Sequence, residues 1–420
     1  MTRTRGGFVV AAGLMMAHAA QAGQPSAAPI TVDQAVAEAI DHNLSLLAER
    51  YNVTVAAAAV VTAGLRPNPV ITVNGMAPSR DLVETGIAVD EGVVRTDYVV
   101  ERGGKRERRV EQAKLALSVA ELQLLDTTRK LVLDVKTAFA DVQLAKLNLA
   151  LARENLAALN GVVSINVERV RTGDLPKVEL SRSRLAALQF ENDVEQQSTK
   201  LLVARSRLSL LIGRGASAGA LDVIGDLRRD SDVLDRSTLL SRALDKRPDL
   251  RAARSDQARS VAELRLQLAN GTIDYTISGE YHRISGGGLR GNDYGVFFSA
   301  PLPVFNRNQG EIARAQVQQQ QFDAKTKALE AGIRTDLDAA FTEYSSARRV
   351  VERIENEMLK QARDVRATME YSYRRGEASL IEFLDAVRTF NDTTRSYNEA
   401  RADYARSLYS LDAISGGVTP

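Results

Sequence analysis

The chain has 420 residues, with 55 Lys+Arg against 53 Asp+Glu, three His, ten Pro, no Cys and no Trp. Without Cys there is neither a disulfide framework nor a Cys-based zinc site, and the near-neutral balance lacks the basic footprint of a nucleic-acid binder. Few prolines, and aromatics at only 5%, point to long helices instead of a dense globular core.

Arg3 and Arg5 precede an apolar stretch from Phe8 to about Met16, and Ala20-Gln21-Ala22 forms a small-x-small cleavage pattern. Residues 1–22 therefore read as a secretory signal peptide, and the mature chain as exported. No later segment reaches the roughly 18 consecutive apolar residues of a spanning helix. If this chain sits in a membrane, strands must span it.

The remainder is written twice. Ala39-Ile40-Asp41-His42-Asn43-Leu44 matches Ala243-Leu244-Asp245-Lys246-Arg247-Pro248 at an offset of 204, as Ile71–Gly75 matches Tyr275–Gly279. The offset is 202 at Val110/Ile312 and Ala113/Ala315, and 203 at Arg171/Arg374, Gly173/Gly376, Val178/Ile381, Glu179/Glu382 and Gly213/Gly416. The expected organisation is a first repeat over 23–215, a linker over 216–235, a second repeat over 236–416 and a tail over 417–420.

Each repeat reads as helix, two strands, very long helix, turn, helix. The first helix is expected from Thr31 to Leu65, ending before Pro67 and Pro69. Ile71, Val73 and Gly75 then alternate with Thr72 and Asn74, and Tyr98-Val99-Val100 forms a second extended stretch. In the second repeat Tyr275, Ile277 and Tyr281 alternate with polar residues. After Gly286-Gly287-Gly288 the alternation resumes at Tyr294, Val296 and Phe298. Period two gives one apolar and one polar face. Four strands are too few to close a barrel alone, but several chains together can close one. A half-buried hairpin of a soluble protein carries the same pattern.

The next segment narrows the choice. No Pro occurs from Lys105 to Val170, and Val110, Leu117, Leu124, Leu131, Ala138, Ala145, Ala152 and Leu159 recur every seven residues. This is a coiled-coil seam, and residues 104–171 span roughly 100 Å as a helix. Asn160-Gly161 reads as a tolerated defect within it. Gly173 and Gly376 read as the turns, with Pro176 opening the return helix.

The duplication, the strand ends at Gly75 and Gly279, and the turns Val170–Leu175 and Tyr373–Ala378 resemble the TolC-like outer-membrane efflux family over nearly all of the mature chain. Ala300-Pro301-Leu302-Pro303-Val304-Phe305-Asn306-Arg307-Asn308-Gln309-Gly310-Glu311-Ile312 resembles its cobalt-zinc-cadmium branch. The resemblance implies a mainly α homotrimer: a long antiparallel coiled-coil barrel in the periplasm below a 12-stranded outer-membrane β-barrel, four strands from each chain. It implies a periplasmic adaptor and a proton-driven inner-membrane pump of the RND type as partners, and no nucleic acid. Many relatives carry a lipidated N-terminal Cys; this chain has no Cys, so its anchoring is expected from the barrel in the outer-membrane lipid.

The resemblance also places a gate at the periplasmic tip. Matching the turn motif assigns it to Tyr373, Glu382 and Asp385, with Glu179 the counterpart of Glu382 in the first repeat. Adaptor contact falls on Gly173, Leu175, Gly376 and Leu380. The family's tip arginine position holds Ala378, leaving Arg374 or Arg375 as replacements. Solvated helix positions and a purely structural turn are the alternatives. His42 and His282 stand apart from the remaining Met residues, so no metal-ligand cluster, no cofactor and no catalytic arrangement is expected. The expected role is a passive exit duct, for divalent metal cations on the branch resemblance. Drug-like compounds or secreted polypeptides are the alternative cargo, and a soluble periplasmic coiled-coil adaptor is the rival class.

Overall fold

The computed structural model describes residues 29–76, 84, 89–215, 221–286 and 289–417. The proposed signal peptide, part of the linker, Gly287 and Gly288, and the last three tail residues lie outside them. In chain order the elements are α1 (Val32–His42), α2 (Leu44–Ala63), β1 (Val70–Met76), β2 (Val89–Val100), α3 (Lys105–Thr172) and α4 (Lys177–Leu211). The second repeat gives α5 (Arg236–Lys246), α6 (Pro248–Asn270), β3 (Tyr275–Gly286), β4 (Leu289–Ser299), α7 (Gln309–Arg353), a π-turn (Ile354–Met358), α8 (Leu359–Arg375) and α9 (Leu380–Ile414).

The expected single helix from Thr31 to Leu65 is two. Asn43 leaves the helical region (ψ 119°), and its side-chain oxygen accepts from the Ser45 and Leu46 amides, ending α1 and capping α2. The second repeat breaks at the matching point, where Pro248 opens α6. Pro cannot supply an interior helical amide, so its pairing with Leu44 marks the joint in both repeats. Each joint receives the end of its repeat's last helix. Gly213 (φ +78°) lies so close to His42 that a Cβ would sit 2.8 Å away, and Gly416 (φ +81°) meets Arg247 at 2.9 Å. Only glycine allows both that approach and that backbone conformation.

α3 is one uninterrupted helix of 68 residues, and Asn160-Gly161 passes through it without a break. The heptad positions from Leu131 to Leu159 are buried. The long helix of the second repeat carries the π-turn instead. The repeat offset grows from 202 at Ala113/Ala315 to 203 at Gly173/Gly376, so the second repeat has one additional residue in this interval. A π-turn absorbs one extra residue without ending the helix.

The two hairpins join as one antiparallel sheet in the order β1-β2-β3-β4. The strands are longer than the sequence pattern suggests. Register places Val73 opposite Val94, Val94 opposite Tyr281, Tyr281 opposite Tyr294, Ile277 opposite Phe298 and Gly279 opposite Val296. Opposed residues share a face, so these residues form an apolar band on one face, bordered by Arg283, Asn292 and Asp90 at the end away from the helices. The other carries Thr72, Arg95, Asp97, Ser278, Glu280 and His282, with Arg95 bonded to Asp97 at 2.8 Å and to Ser278 at 3.0 Å. The helices continue the four-element plan. Next to the sheet the packing order is α2-α3-α6-α7, and at the far end it is α4-α3-α9-α8.

Candidate functional site: the helical tip

The end of the rod distant from the sheet is built from two matching turns. Gly173 (φ +86°) and Gly376 (φ +84°) terminate α3 and α8. In the first turn Gly173 N donates to the Val170 carbonyl and Asp174 N to that of Arg169. In the second, Gly376 N donates to Tyr373 and Glu377 N to Ser372. Both are Schellman stops, which satisfy carbonyls the helix leaves open. Pro176 caps α4. Ser379 caps α9 in a reciprocal box with Glu382.

Between the turns lies a groove of about 420 Å³ that includes Arg169, Leu175, Glu179, Tyr373, Ser379 and Ile381. Tyr373 is at its base and only 3% exposed. Its ring stacks on Phe383 at 5.4 Å, and its hydroxyl donates to Asn166 Oδ1 on α3 at 2.8 Å. Burial pushes the Tyr373 phenol up, so it stays a donor at neutral pH. Arg169 on α3 donates to the carbonyls of Tyr373 and Arg374, each at 3.3 Å, where a cation suits the helix C-terminus. The first-repeat hairpin is thereby fastened to the second.

The expected gate residues divide. Tyr373 and Glu179 meet at the groove, and Glu179 accepts from Arg182 at 2.7 Å. Glu382 is committed to its own helix: its carboxylate accepts from the Ser379 amide and hydroxyl, each at 2.8 Å. Those bonds, the amide first, hold its carboxyl below the usual range. Asp385 is exposed and makes no ion pair among the described residues. Of the expected contact residues, Gly173 and Gly376 lie at the surface and Leu175 is half-buried. Leu380 is 3% exposed, packed with Tyr373 and Phe383, and Ile381 beside it is 65% exposed. Neither Arg374 nor Arg375 spans the turns: the first pairs with Glu370 and the second lies over Tyr371.

Arg169 and Asn166 escaped the sequence reading, although a signal was present. Asn166 is the next heptad position after Leu159, and a polar residue in a coiled-coil seam fixes register at some cost in stability. Asn148 and Asn155 extend the theme on the adjoining row. Asn155 accepts no bond but donates to Asn391 at 3.0 Å, and Asn398 donates to Asn148 at 3.1 Å. These buried pairs lie one heptad apart along the antiparallel α3–α9 seam. Further up, α3, α7 and α9 line a groove of about 760 Å³ holding Asp134, Glu343, Glu399 and Asp403. Burial pushes the Asp134 carboxyl up.

A rod of duplicated helical hairpins bearing a strand sheet with an apolar band is the architecture that the resemblance to the TolC-like outer-membrane channels implies. The outer membrane efflux protein family model matches residues 35–214 and again 239–417, and the chain belongs to that family. It is 24% identical over 319 residues to the cobalt-zinc-cadmium resistance protein CzcC of Cupriavidus metallidurans, covering 75% of this chain and 74% of that one. It is 22% identical over 339 residues to nodulation protein T of Rhizobium leguminosarum bv. trifolii, covering 76% and 70%. The outer membrane protein VceC of Vibrio cholerae shares the fold, with a TM-score of 0.74, 18% identity and coverage of 92% of this chain and 96% of that one. The protein is thus an outer membrane efflux channel, and its helical rod and sheet have the fold of VceC.

Proposed function

We propose that this channel is the exit duct for divalent heavy-metal cations, acting as a homotrimer with a periplasmic adaptor and a proton-driven inner-membrane pump. The observation that supports the assembly is the same at each level of the rod: four elements in a row, with free edges. β1 and β4 have unpaired outer edges. α2 is apolar and long enough to cross a membrane by composition, yet mostly exposed. α4 exposes Val178, Leu185, Leu188, Leu202 and Leu210. A second copy laid edge to edge pairs the strands and covers the apolar edges, and α2 on this reading is a subunit contact. Its closed ring is the form such head-to-tail contacts take when the rotation closes.

The metal cargo rests on the similarity to CzcC and on the stretch from Ala300 to Ile312. Acidic side chains in the α3–α7–α9 groove suit cation passage. At the tip, the Tyr373–Asn166 and Arg169 bonds hold the two hairpins together, and separating them is the opening step when the adaptor docks on Gly173, Leu175, Gly376 and Ile381. The similarity to nodulation protein T, whose name carries no metal, leaves a different cargo such as an organic compound as the second reading. A deletion strain separates the two. Lost tolerance of zinc, cadmium or cobalt, restored by the gene, supports the metal reading; unchanged metal tolerance with lost tolerance of organic compounds rejects it.

A further inference from the structure

The connection from β4 to α7, beyond the sheet, holds the most exposed large apolar side chain among the described residues. Phe305 is 91% exposed, Leu302 83% and Val304 64%. This connection is not loose. Pro301 and Pro303 restrict its backbone. Val304 N donates to the Leu302 carbonyl at 2.9 Å, Arg307 Nε to that of Pro303 at 3.1 Å, and Gln309 Nε2 to that of Phe305 at 3.1 Å. Asn308 takes a left-handed conformation (φ +62°) and donates to the Gln267 carbonyl at 2.7 Å. A segment so constrained holds three apolar side chains outward, where water makes their exposure unfavourable.

We propose that the Leu302–Phe305 segment is an interfacial anchor that inserts into the periplasmic leaflet of the outer membrane and binds phospholipid. It follows directly from β4, whose apolar face carries Tyr294, Val296 and Phe298. It leaves the end of the sheet from which the helices descend, so it lies at the level of the inner headgroups. Arg66, Arg102 and Arg307 are exposed around this end of the sheet. None of the three forms an ion pair among the described residues. Cations beside apolar and aromatic side chains match a phosphate headgroup above an acyl chain. A second copy of the chain is the competing occupant. Edge-to-edge pairing of β1 with β4 of a second copy brings Arg66 and Arg307 towards one another at this end of the sheet, where lipid phosphate neutralises both.

The inference rests on the outer-membrane seating of the sheet, so the test includes a reference for that seating. The chain has no Trp, and Phe305→Trp and Phe298→Trp each introduce a sole indole. The full-length mature protein is reconstituted in vesicles of phosphatidylethanolamine and phosphatidylglycerol, with acyl chains unlabelled or brominated at shallow or deep positions. The anchor predicts that shallow bromines lower Phe305→Trp emission on the order of twofold, as expected for a side chain about 5–10 Å into the interface. Phe298→Trp responds to bromines as the seating control. Emission of Phe305→Trp that is quenched by aqueous acrylamide and not by bromolipid overturns the anchor. So does blue-shifted emission that neither quencher reaches, which assigns the segment to a neighbouring subunit. If the Phe298→Trp indole is also blind to bromolipid, the seating of the sheet fails along with the anchor.

Discussion

Removing one oxygen tests the tip fastening. In Tyr373→Phe the ring and its stacking on Phe383 remain, but Asn166 Oδ1 loses a donor at 2.8 Å. Asn166 is fully buried, so its oxygen is shielded from bulk water once the phenol is gone. An unsatisfied buried acceptor costs about 1–3 kcal/mol. If three subunits open together, the closed tip loses about 3–9 kcal/mol in all, and each 1.4 kcal/mol is about a tenfold change in population. Single-channel recording in planar bilayers should show higher open occupancy for Tyr373→Phe than for the natural protein. The double variant Tyr373→Phe/Asn166→Leu removes both polar groups, and replacing both partners by apolar groups is nearly neutral. It should therefore close more tightly than Tyr373→Phe alone. A single variant that conducts like the natural channel refutes the fastening; a double variant as leaky as the single one refutes the desolvation argument.

The other expectations concern charge, turn geometry and pH. Asp385→Asn should raise the conductance of the isolated channel, whereas Glu382→Gln, which keeps an acceptor in the capping box, should leave the conductance nearly unchanged; equal effects of the two would separate the gate from Asp385. Gly376→Ala places a Cβ at φ +84°, at a cost of about 1–2 kcal/mol, and should speed amide exchange across residues 370–383; unchanged exchange refutes the strain. The depressed Glu382 carboxyl contributes stability that is present at neutral pH and lost only as pH falls through its folded value. Protection of the first turn of α9 should therefore persist down to about pH 4.3 and fade below; loss already near pH 6 contradicts the cap assignment. Neutralising Asp134, Glu343 and Glu399 together should move the reversal potential in a salt gradient away from cation preference, and an unmoved potential removes this groove from the conduction path.

How much was legible depended on whether a pattern was repeated. Periodicity from Val110 to Leu159 identified α3 because each heptad restates the same constraint. The tip turns were legible because αL geometry favours glycine, and glycine occurs there twice, at Gly173 and Gly376. The Asn43 break was missed because Asn is tolerated in a helix; only its alignment beside Pro248 reveals it. Strand ends were underestimated because Val89–Thr96 includes Glu91 and Arg95 on the polar face, residues that a solvated channel wall accommodates and a soluble core does not.

The site residues were harder to read for a related reason. Resemblance transferred Tyr373 and Glu382 as residue types at matching positions, but their surroundings differ. Ser379 three residues ahead turns Glu382 into a helix cap, and Asn166 across the seam draws Tyr373 inward. The fastening depends equally on Arg169, whose partners are backbone carbonyls 204 and 205 positions away. A backbone acceptor leaves no residue type to recognise, so such a contact cannot be seen from one sequence. The seam asparagines could be seen. Each replaces an apolar residue at an interface between the two repeats, and a polar pair weakens that interface while fixing its register. A channel whose second hairpin must part from its first gains from such a seam: in water each separated amide finds a new partner, whereas separated leucines would be exposed at a cost of about 25 cal/mol per Å². The same α3–α9 seam is therefore tight enough to set the closed register and polar enough to open.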